Sequence, residues 1–296
     1  MRIAIVAGLC SLLFGASSAR AATPDFTATA AWRSVQLPAA AAAAATDHDY
    51  TTRPTAPPFA AGCNSKATCA IYCNGAKAKE SEARKKFGPH ADAKLVSLDK
   101  AYAFLGCSPG KKAKDTGKKC GLRLEKKMQA QPPLARALAL AALRLRAINK
   151  DYVVVVQDAN RDIAFQVGQT CAAIASGHGE ACGTGHACPG SSPHLGGVAF
   201  DLYLENSKGA KLTQPVGNAT NCAKSLQDIK REKDQHAAAL NHAMFSAGFY
   251  RYCNEHWHFE LTRAPANDLR TNCLDDHDCG GGKKCVQHKT KISLCQ

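Results

Sequence analysis

No pair of cysteines in this sequence has the CxxC spacing, although the chain contains 15 cysteines in 296 residues. Paired CxxC motifs are typical of structural zinc sites with thiolate ligands, so their absence argues against such a site. After the first 21 residues no apolar run is long enough to span a bilayer. Aromatic residues make up only 6% of the chain, and the basic segment contains few of them, so base stacking is poorly supported. We therefore expect no membrane span and no nucleic-acid partner.

The first 21 residues have the pattern of a secretory signal peptide. Arg2 precedes an apolar run that ends at Phe14, and the small residues Ala19 and Ala21 suit a cleavage site after Ala21. Without Cys10, which lies in the apolar run, 14 cysteines remain, an even number that suits disulfides in an oxidising compartment. The sequence thus predicts a secreted or periplasmic, disulfide-bonded protein.

Composition divides the chain into five predicted segments. These are the signal peptide over 1–21, an Ala/Pro/Thr-rich linker or propeptide over 22–62, a basic cysteine-containing region over 63–130, a core over 131–265, and a four-cysteine module over 266–296. The formal net charge of +14 is concentrated in the basic region. It favours anionic partners such as cell-wall polymers, but a solvated surface explains it equally well. The last segment has almost no apolar residues, so we expect two disulfides to hold it together.

The core shows alternating helix and strand patterns. Helical spacing of apolar residues follows Pro132 and Pro133, and the β-branched run DYVVVVQD after it predicts a buried strand. A cysteine-bearing loop is expected over about 170–193, and a second helix over 224–247 with Gly248 as its stop. We expect an α+β domain, with His236 and His242 as surface groups on that second helix.

The stretch SSPHLGGVAFD, residues 191–201, combines a glycine turn with a strand pattern. Val198, Phe200 and Leu202 alternate with polar-face positions, so Asp201 points away from the apolar face. Gly196 and Gly197 would let the backbone turn between His194 and the strand. Taken alone, such a histidine and aspartate are more often ordinary turn and surface groups than a metal site.

A second stretch, GFYRYCNEHWHFEL at 248–261, supplies what the first one lacks. Trp257, Phe259 and Leu261 alternate with His256, His258 and Glu260, so His258 shares one polar strand face, and Glu255 lies at the entrance of that strand. The spacing is not HExxH, which places its histidines on a helix. His258 is a possible third metal ligand and Glu255 a nearby carboxylate.

Together the stretches match SxHxxGxAxD followed by ExWH, which resembles the VanY-type zinc D-Ala-D-Ala carboxypeptidases of peptidase family M15. The resemblance covers about residues 134–262. It implies a hedgehog/DD-peptidase-like α+β core with a small antiparallel sheet flanked by helices, plus small disulfide-rich appendages, and it makes 131–265 a zinc peptidase core. It also implies one Zn²⁺ held by His194, Asp201 and His258. Glu255 would then be the general base toward a zinc-activated water.

Two further residues follow from the same resemblance. The family has an arginine just after a strand, and the matching place here is Arg161 in DANRD, with Gln166 five residues later. Arg161 would orient substrate and stabilise the developing oxyanion, and Ser192 would hydrogen-bond substrate. A surface salt bridge for Arg161 and a turn-capping hydroxyl for Ser192 are the structural alternatives.

The resemblance implies a metallopeptidase that hydrolyses peptidoglycan stem peptides, as a D-alanyl-D-alanine carboxypeptidase. With the predicted signal peptide, we expect it to be secreted, and we expect a monomer. A peptidoglycan endopeptidase on the same scaffold is an alternative, because the zinc chemistry would be shared. A non-catalytic, zinc-containing cell-wall binding protein is another, although Glu255 favours hydrolysis since a structural zinc needs no base beside it. The expected partners are peptidoglycan peptides and anionic wall polymers.

Overall fold

A computed structural model gives the fold of the chain over nine stretches. It describes residues 34–37, 95–107, 120–161, 163–175, 192–214, 235–261, 270–279, 281–287 and 293–296. The predicted signal peptide, nearly all of the predicted linker and most of the loop predicted over 170–193 lie outside these residues. Within them, no helix is long and apolar enough to cross a membrane.

Four α-helices and ten strands make up the described part of the chain. In order they are β1 (Val96–Ser97), α1 (Asp99–Phe104), β2 (Leu122–Leu124), β3 (Gln129–Ala130), α2 (Pro132–Ile148), β4 (Tyr152–Asp158), α3 (Ile163–Ala175), β5 (Ala199–Asn206), α4 (Gln235–Ser246), β6 (Tyr250–Tyr252), β7 (His258–Glu260), β8 (Arg270–Thr271), β9 (Cys285–Gln287) and β10 (Ser293–Cys295). A short 3₁₀ helix, Asp276–Asp278, lies between β8 and β9. The predicted α+β class is confirmed.

A six-stranded sheet in the order β2-β4-β5-β7-β6-β8 forms the centre of the fold. The sheet is antiparallel except at one edge, where β2 runs parallel to β4. The resemblance implied a small antiparallel sheet, and the pairing of β2 with β4 departs from it. The exception arises because Leu122–Leu124, from the segment assigned to the basic region, joins the sheet through a crossover that contains α2. A hedgehog-type core in the narrower sense stays a prediction.

Helices α2 and α4 pack together on one face of the sheet and bury its apolar side. Helix α2 begins with Pro132, where the missing N–H costs no helix hydrogen bond, and Leu134, Leu138 and Leu145 on it are fully buried. Helix α4 ends at Ser246, and Gly248 follows with φ +94°, which confirms the predicted stop. Residues 224–234 of the predicted helix lie outside the described residues.

Alternation along β5 separates the two faces of the sheet. Phe200 and Leu202 belong to the core under the helices, whereas Asp201 and Tyr203 point to the opposite face, as the pattern predicts. All four side chains are buried, so the polar face is also covered.

The loop predicted from residue 170 is wrong for its first six residues, because α3 extends to Ala175. Cys171 lies in this helix and is disulfide-bonded, so this cysteine does not mark a loop. The hydroxyl of Thr170 donates to the carbonyl of Gln166 at 3.0 Å, one helical turn earlier.

The four C-terminal cysteines form two bridges with one another, as expected. Cys273 pairs with Cys285 and Cys279 with Cys295. The expectation that His242 is a surface group is wrong. Its ring is buried, and its Nδ1 lies 2.6 Å from Oδ1 of Asp278, which has a fully buried side chain in the 3₁₀ helix. This contact joins the disulfide-bonded segment to α4.

Candidate metal centre

Three side chains meet on the polar face of the sheet. Asp201 on β5 and His258 on β7 are direct antiparallel partners, so their side chains point to the same side. His194 reaches the same point from the turn that precedes β5. Asp201 Oδ1 lies 3.2 Å from His194 Nε2 and 3.0 Å from His258 Nδ1, and the two histidine nitrogens are 3.2 Å apart.

The donor atoms fit a small tetrahedral cation. Ligands about 2.0–2.1 Å from zinc in tetrahedral geometry lie roughly 3.3 Å from one another, close to the three distances found here. Two imidazoles and one carboxylate form a donor set that zinc prefers, and they leave the fourth position to water or substrate. Among the described residues, His194, Asp201 and His258 form one of three groups whose ligand atoms lie within 4.8 Å of one another.

The other two groups are occupied by other interactions. Cys273, Cys279 and Cys295 are in disulfides. The group of His242, Asp275 and Asp278 is held by its own hydrogen bonds, including those of the capping box of the 3₁₀ helix.

A backbone hydrogen bond fixes the orientation of the His194 ring. Its Nδ1 lies 2.7 Å from the carbonyl oxygen of Ala159, a geometry in which Nδ1–H donates and the Nε2 lone pair faces Asp201 and His258. Burial lowers the pKa of His194 and outweighs the opposing effect of the Asp201 charge. The ring is thus held as a neutral imidazole, the form that binds a metal.

The turn that carries His194 depends on Gly197 and Gln131. Gly197 has φ +63°, and a Cβ on it would come within 2.5 Å of the Leu95 side chain. The backbone N–H of Gln131 donates to the Gly197 carbonyl at 2.9 Å, and its side-chain amide donates to the Gly196 carbonyl at the same distance. The predicted glycine turn is therefore confirmed, and α2 supports it from its N-terminal end.

The two oxygens of Asp201 have separate partners. Oδ1 faces both histidines, while Oδ2 accepts a hydrogen bond from Arg161 Nη2 at 2.6 Å. Burial raises the pKa of Asp201, but its electrostatic interactions and hydrogen bonds with His194 and His258 outweigh this and hold the pKa well below its usual range. The carboxylate is therefore ionised, as a metal ligand must be.

Glu255 lies beside the three candidate ligands without being one of them. Its backbone N–H donates to the Tyr252 carbonyl at 3.1 Å, and its carbonyl accepts from the His258 N–H at 3.3 Å. Its Oε2 lies 3.8 Å from His258 Nδ1. Burial raises the pKa of Glu255, and the Asp201 charge adds to this, against the effects of His258 and Arg161. A carboxylate with a raised pKa is suited to accepting and returning a proton.

Arg161 follows β4 and lies at the edge of this group. Its Nε donates to Asp158 at 2.6 Å, its Nη2 to Asp201, and its Nη1 to Gln166 at 3.3 Å. Three of its five N–H groups are thus used within the protein, and two are left for other acceptors. The structure brings Arg161 to the site.

Ser192 occupies the first position of the histidine turn. It is buried, and its carbonyl accepts the N–H of Leu195 at 3.2 Å. Its predicted role toward substrate stays a prediction.

Asp158 and Ala159 also belong to the surroundings of the site, and sequence reasoning missed both. Asp158 contacts Arg161, and the Ala159 carbonyl contacts His194. One available signal was position, because Asp158 ends the strand next to the one that carries Asp201.

In this α+β protein, His194, Asp201 and His258 thus form a candidate metal centre with Glu255 beside it. Residues 192–276 match the family Peptidase_M15, described as D-ala-D-ala dipeptidase. The match supports an M15-family zinc peptidase and confirms the resemblance to family M15 over residues 192–262. It spans less than a third of the chain and contains His194, Asp201, Glu255 and His258, but not Arg161. A search of curated proteins gave no match.

Proposed function

We propose that this protein is a secreted zinc peptidase that hydrolyses peptidoglycan stem peptides ending in D-Ala-D-Ala, acting as a D,D-carboxypeptidase. The observation that carries the proposal is the buried group of His194, Asp201 and His258, with Glu255 next to it. A cluster of two imidazoles and an ionised carboxylate with a base at its edge suits hydrolysis better than structural metal binding.

One Zn²⁺ would be held by His194, Asp201 and His258, and when bound it supplies the Lewis acidity that polarises a scissile carbonyl. Glu255 accepts a proton from the attacking water and returns it to the leaving amine, since its carboxylate lies 3.8 Å from His258 at the edge of the ligand group. The two unused N–H groups of Arg161 hold a substrate carbonyl or carboxylate and stabilise the negative charge that develops on oxygen.

A D-Ala-D-Ala dipeptidase is the second candidate, because that is how the matching family is described. A dipeptidase takes a free amino terminus and a free carboxylate, whereas a carboxypeptidase must accommodate the rest of the stem peptide. Both reactions use the same metal chemistry, so the difference lies in what surrounds the substrate amino end.

Incubation with defined substrates, followed by mass spectrometry, tests the proposal. A muropeptide with a D-Ala-D-Ala end and the free dipeptide are each incubated with the protein, with and without a chelator. Chelator-sensitive release of one D-alanine from the muropeptide supports the carboxypeptidase. Cleavage of the free dipeptide alone supports the dipeptidase, and cleavage within the cross-link supports an endopeptidase. Zinc binding with no hydrolysis of any of these contradicts the enzymatic proposal.

A further inference from the structure

Asp158 and Asp201 end up side by side although they come from different strands. The register of β4 against β5 shifts between Val156 and Asp158, and this irregularity places Asp158 directly opposite Asp201. Two neighbouring carboxylates repel each other unless a cation lies between them. Arg161 provides it, since it donates from Nε to Oδ2 of Asp158 and from Nη2 to Oδ2 of Asp201, each at 2.6 Å.

The remaining oxygen of Asp158 anchors it to the backbone. Oδ1 accepts the N–H of Ala159 at 3.1 Å and lies 3.1 Å from Lys126 Nζ. The Asp158 side chain is 14% exposed and that of Lys126 is 59% exposed, so the lysine contact is the more solvated one. Asp158 is thus held in place by contacts that do not involve Arg161.

We propose that Asp158 is a positioning residue of the metal centre, acting through Arg161. Its carboxylate holds Nε, so that only Nη2 of the guanidinium reaches Asp201 and the second Asp201 oxygen stays directed at the histidines. The effect on metal binding stands without any assumption about substrate, whereas the effect on catalysis rests on the function proposed above.

Loss of the Asp158 charge would release one side of the guanidinium. A free guanidinium prefers to bind a carboxylate with two parallel hydrogen bonds. The only carboxylate that Arg161 would still contact is then Asp201, among the contacts described for it. A bidentate contact between Arg161 and Asp201 would also occupy Oδ1, the oxygen that faces His194 and His258. The guanidinium would then compete with a metal for that oxygen.

The Asp158→Asn substitution isolates this effect. The amide oxygen of asparagine can still accept the Ala159 N–H, so the turn is kept while the charge that holds Nε is removed. We expect zinc affinity to fall roughly 10–100-fold, the usual cost of losing a partner of a metal ligand. The activity proposed above should fall with a lower kcat rather than only a higher KM.

A double-mutant cycle on zinc affinity is the test, read by competition with a chromophoric chelator on the full chain. Asp158→Asn, Arg161→Ala and the double variant are compared with the wild type. If Asp158 acts through Arg161, its substitution should change zinc affinity less than about threefold once Arg161 is alanine. Asp151→Asn is the matched control, because Asp151 lies just before the other end of β4, is exposed and bonds Ser207. It should bind zinc like the wild type.

Two outcomes overturn the proposal: unchanged zinc affinity in Asp158→Asn, or losses that add in the double variant. If Asp158→Asn does not fold, Asp158→Ser replaces it in the same cycle, since a serine hydroxyl can also accept the Ala159 N–H. If the wild type binds zinc but hydrolyses no D-Ala-D-Ala substrate, the proposed function fails, while the affinity cycle still decides the role of Asp158.

Discussion

Arg161 donates to one oxygen of Asp201 at 2.6 Å, and the other oxygen of that carboxylate faces two histidine nitrogens. The carboxylate is therefore divided between a cation of the protein and the place where a metal would bind. We expect Asp201 to bind zinc through Oδ1 alone, because Oδ2 is already occupied.

Asp201→Asn should remove zinc from the purified protein. The amide keeps the shape of the side chain but loses the negative charge that would balance a bound dication. We expect zinc affinity to fall by more than the roughly 10–100-fold that loss of an outer partner costs. Elemental analysis after dialysis measures this, with Asp151→Asn as the control. A stoichiometrically loaded Asp201→Asn protein would contradict the predicted ligand set.

Glu255→Gln should separate metal binding from hydrolysis. Glu255 is not among the three candidate ligands, so we expect zinc affinity to stay within a few-fold of the wild type. Loss of the proton acceptor should lower kcat on a D-Ala-D-Ala substrate by about 10²–10⁴-fold. Glu125→Gln makes the same charge change at an exposed residue that accepts a hydrogen bond from Tyr203, and it should leave kcat unchanged. Release of D-alanine at the wild-type rate by Glu255→Gln would rule out the general-base role.

Gly197→Ala should weaken zinc binding, and Gly209→Ala should not. Both glycines have positive φ, +63° and +87°, so both alanine variants should lose roughly 1–2 kcal/mol of unfolding free energy. Only at Gly197 would the new methyl meet a neighbour, Leu95, whereas nothing lies within 4 Å at Gly209. Urea unfolding and zinc titration of both variants measure the two effects. Equal zinc affinity in both would show that the turn is not needed to place His194.

His242→Ala should destabilise the protein more than His277→Ala. His242 pairs with the buried carboxylate of Asp278 at 2.6 Å. Removal of the imidazole takes this side-chain partner away from the carboxylate. We expect a loss of about 3 kcal/mol in unfolding free energy. His277 pairs with Asp275 at 3.3 Å, and both are about half exposed, so its removal should cost no more than about 0.5 kcal/mol. Thermal unfolding of the two variants compares them, and similar midpoints would contradict the structural role of His242.

The ligand set was implied by the resemblance to family M15, but the shared face of its three side chains could be predicted from two short stretches of sequence. Period-two alternation around Asp201 and around His258 fixes which face each side chain takes. A single glycine with positive φ then brings His194 to the same face. Strand alternation and a glycine turn depend on neighbouring residues, so the sequence predicts where these side chains point, although not that they bind a metal.

Asp158 could not be predicted in the same way, because its position depends on a register shift between β4 and β5. This shift is a bulge-like irregularity, and its place along β4 is decided by the pairing with β5, which the residues around Asp158 do not reveal. The same holds for His242, which looks like a surface histidine on α4 until the C-terminal segment packs against it. The parallel edge strand β2 likewise depends on a long-range pairing with β4.

The close approach of Leu95 to Gly197 has a consequence for any attempt to isolate the region that resembles known peptidases. A chain cut at residue 131 would begin at Gln131, the very residue that supports the histidine turn, and would lack both Leu95 and the edge strand β2. A new, charged and fraying end would then lie against the metal-binding turn. The region upstream of the recognisable motifs thus contributes residues that support the metal-binding turn. A fragment that is to bind zinc has to start well before those motifs.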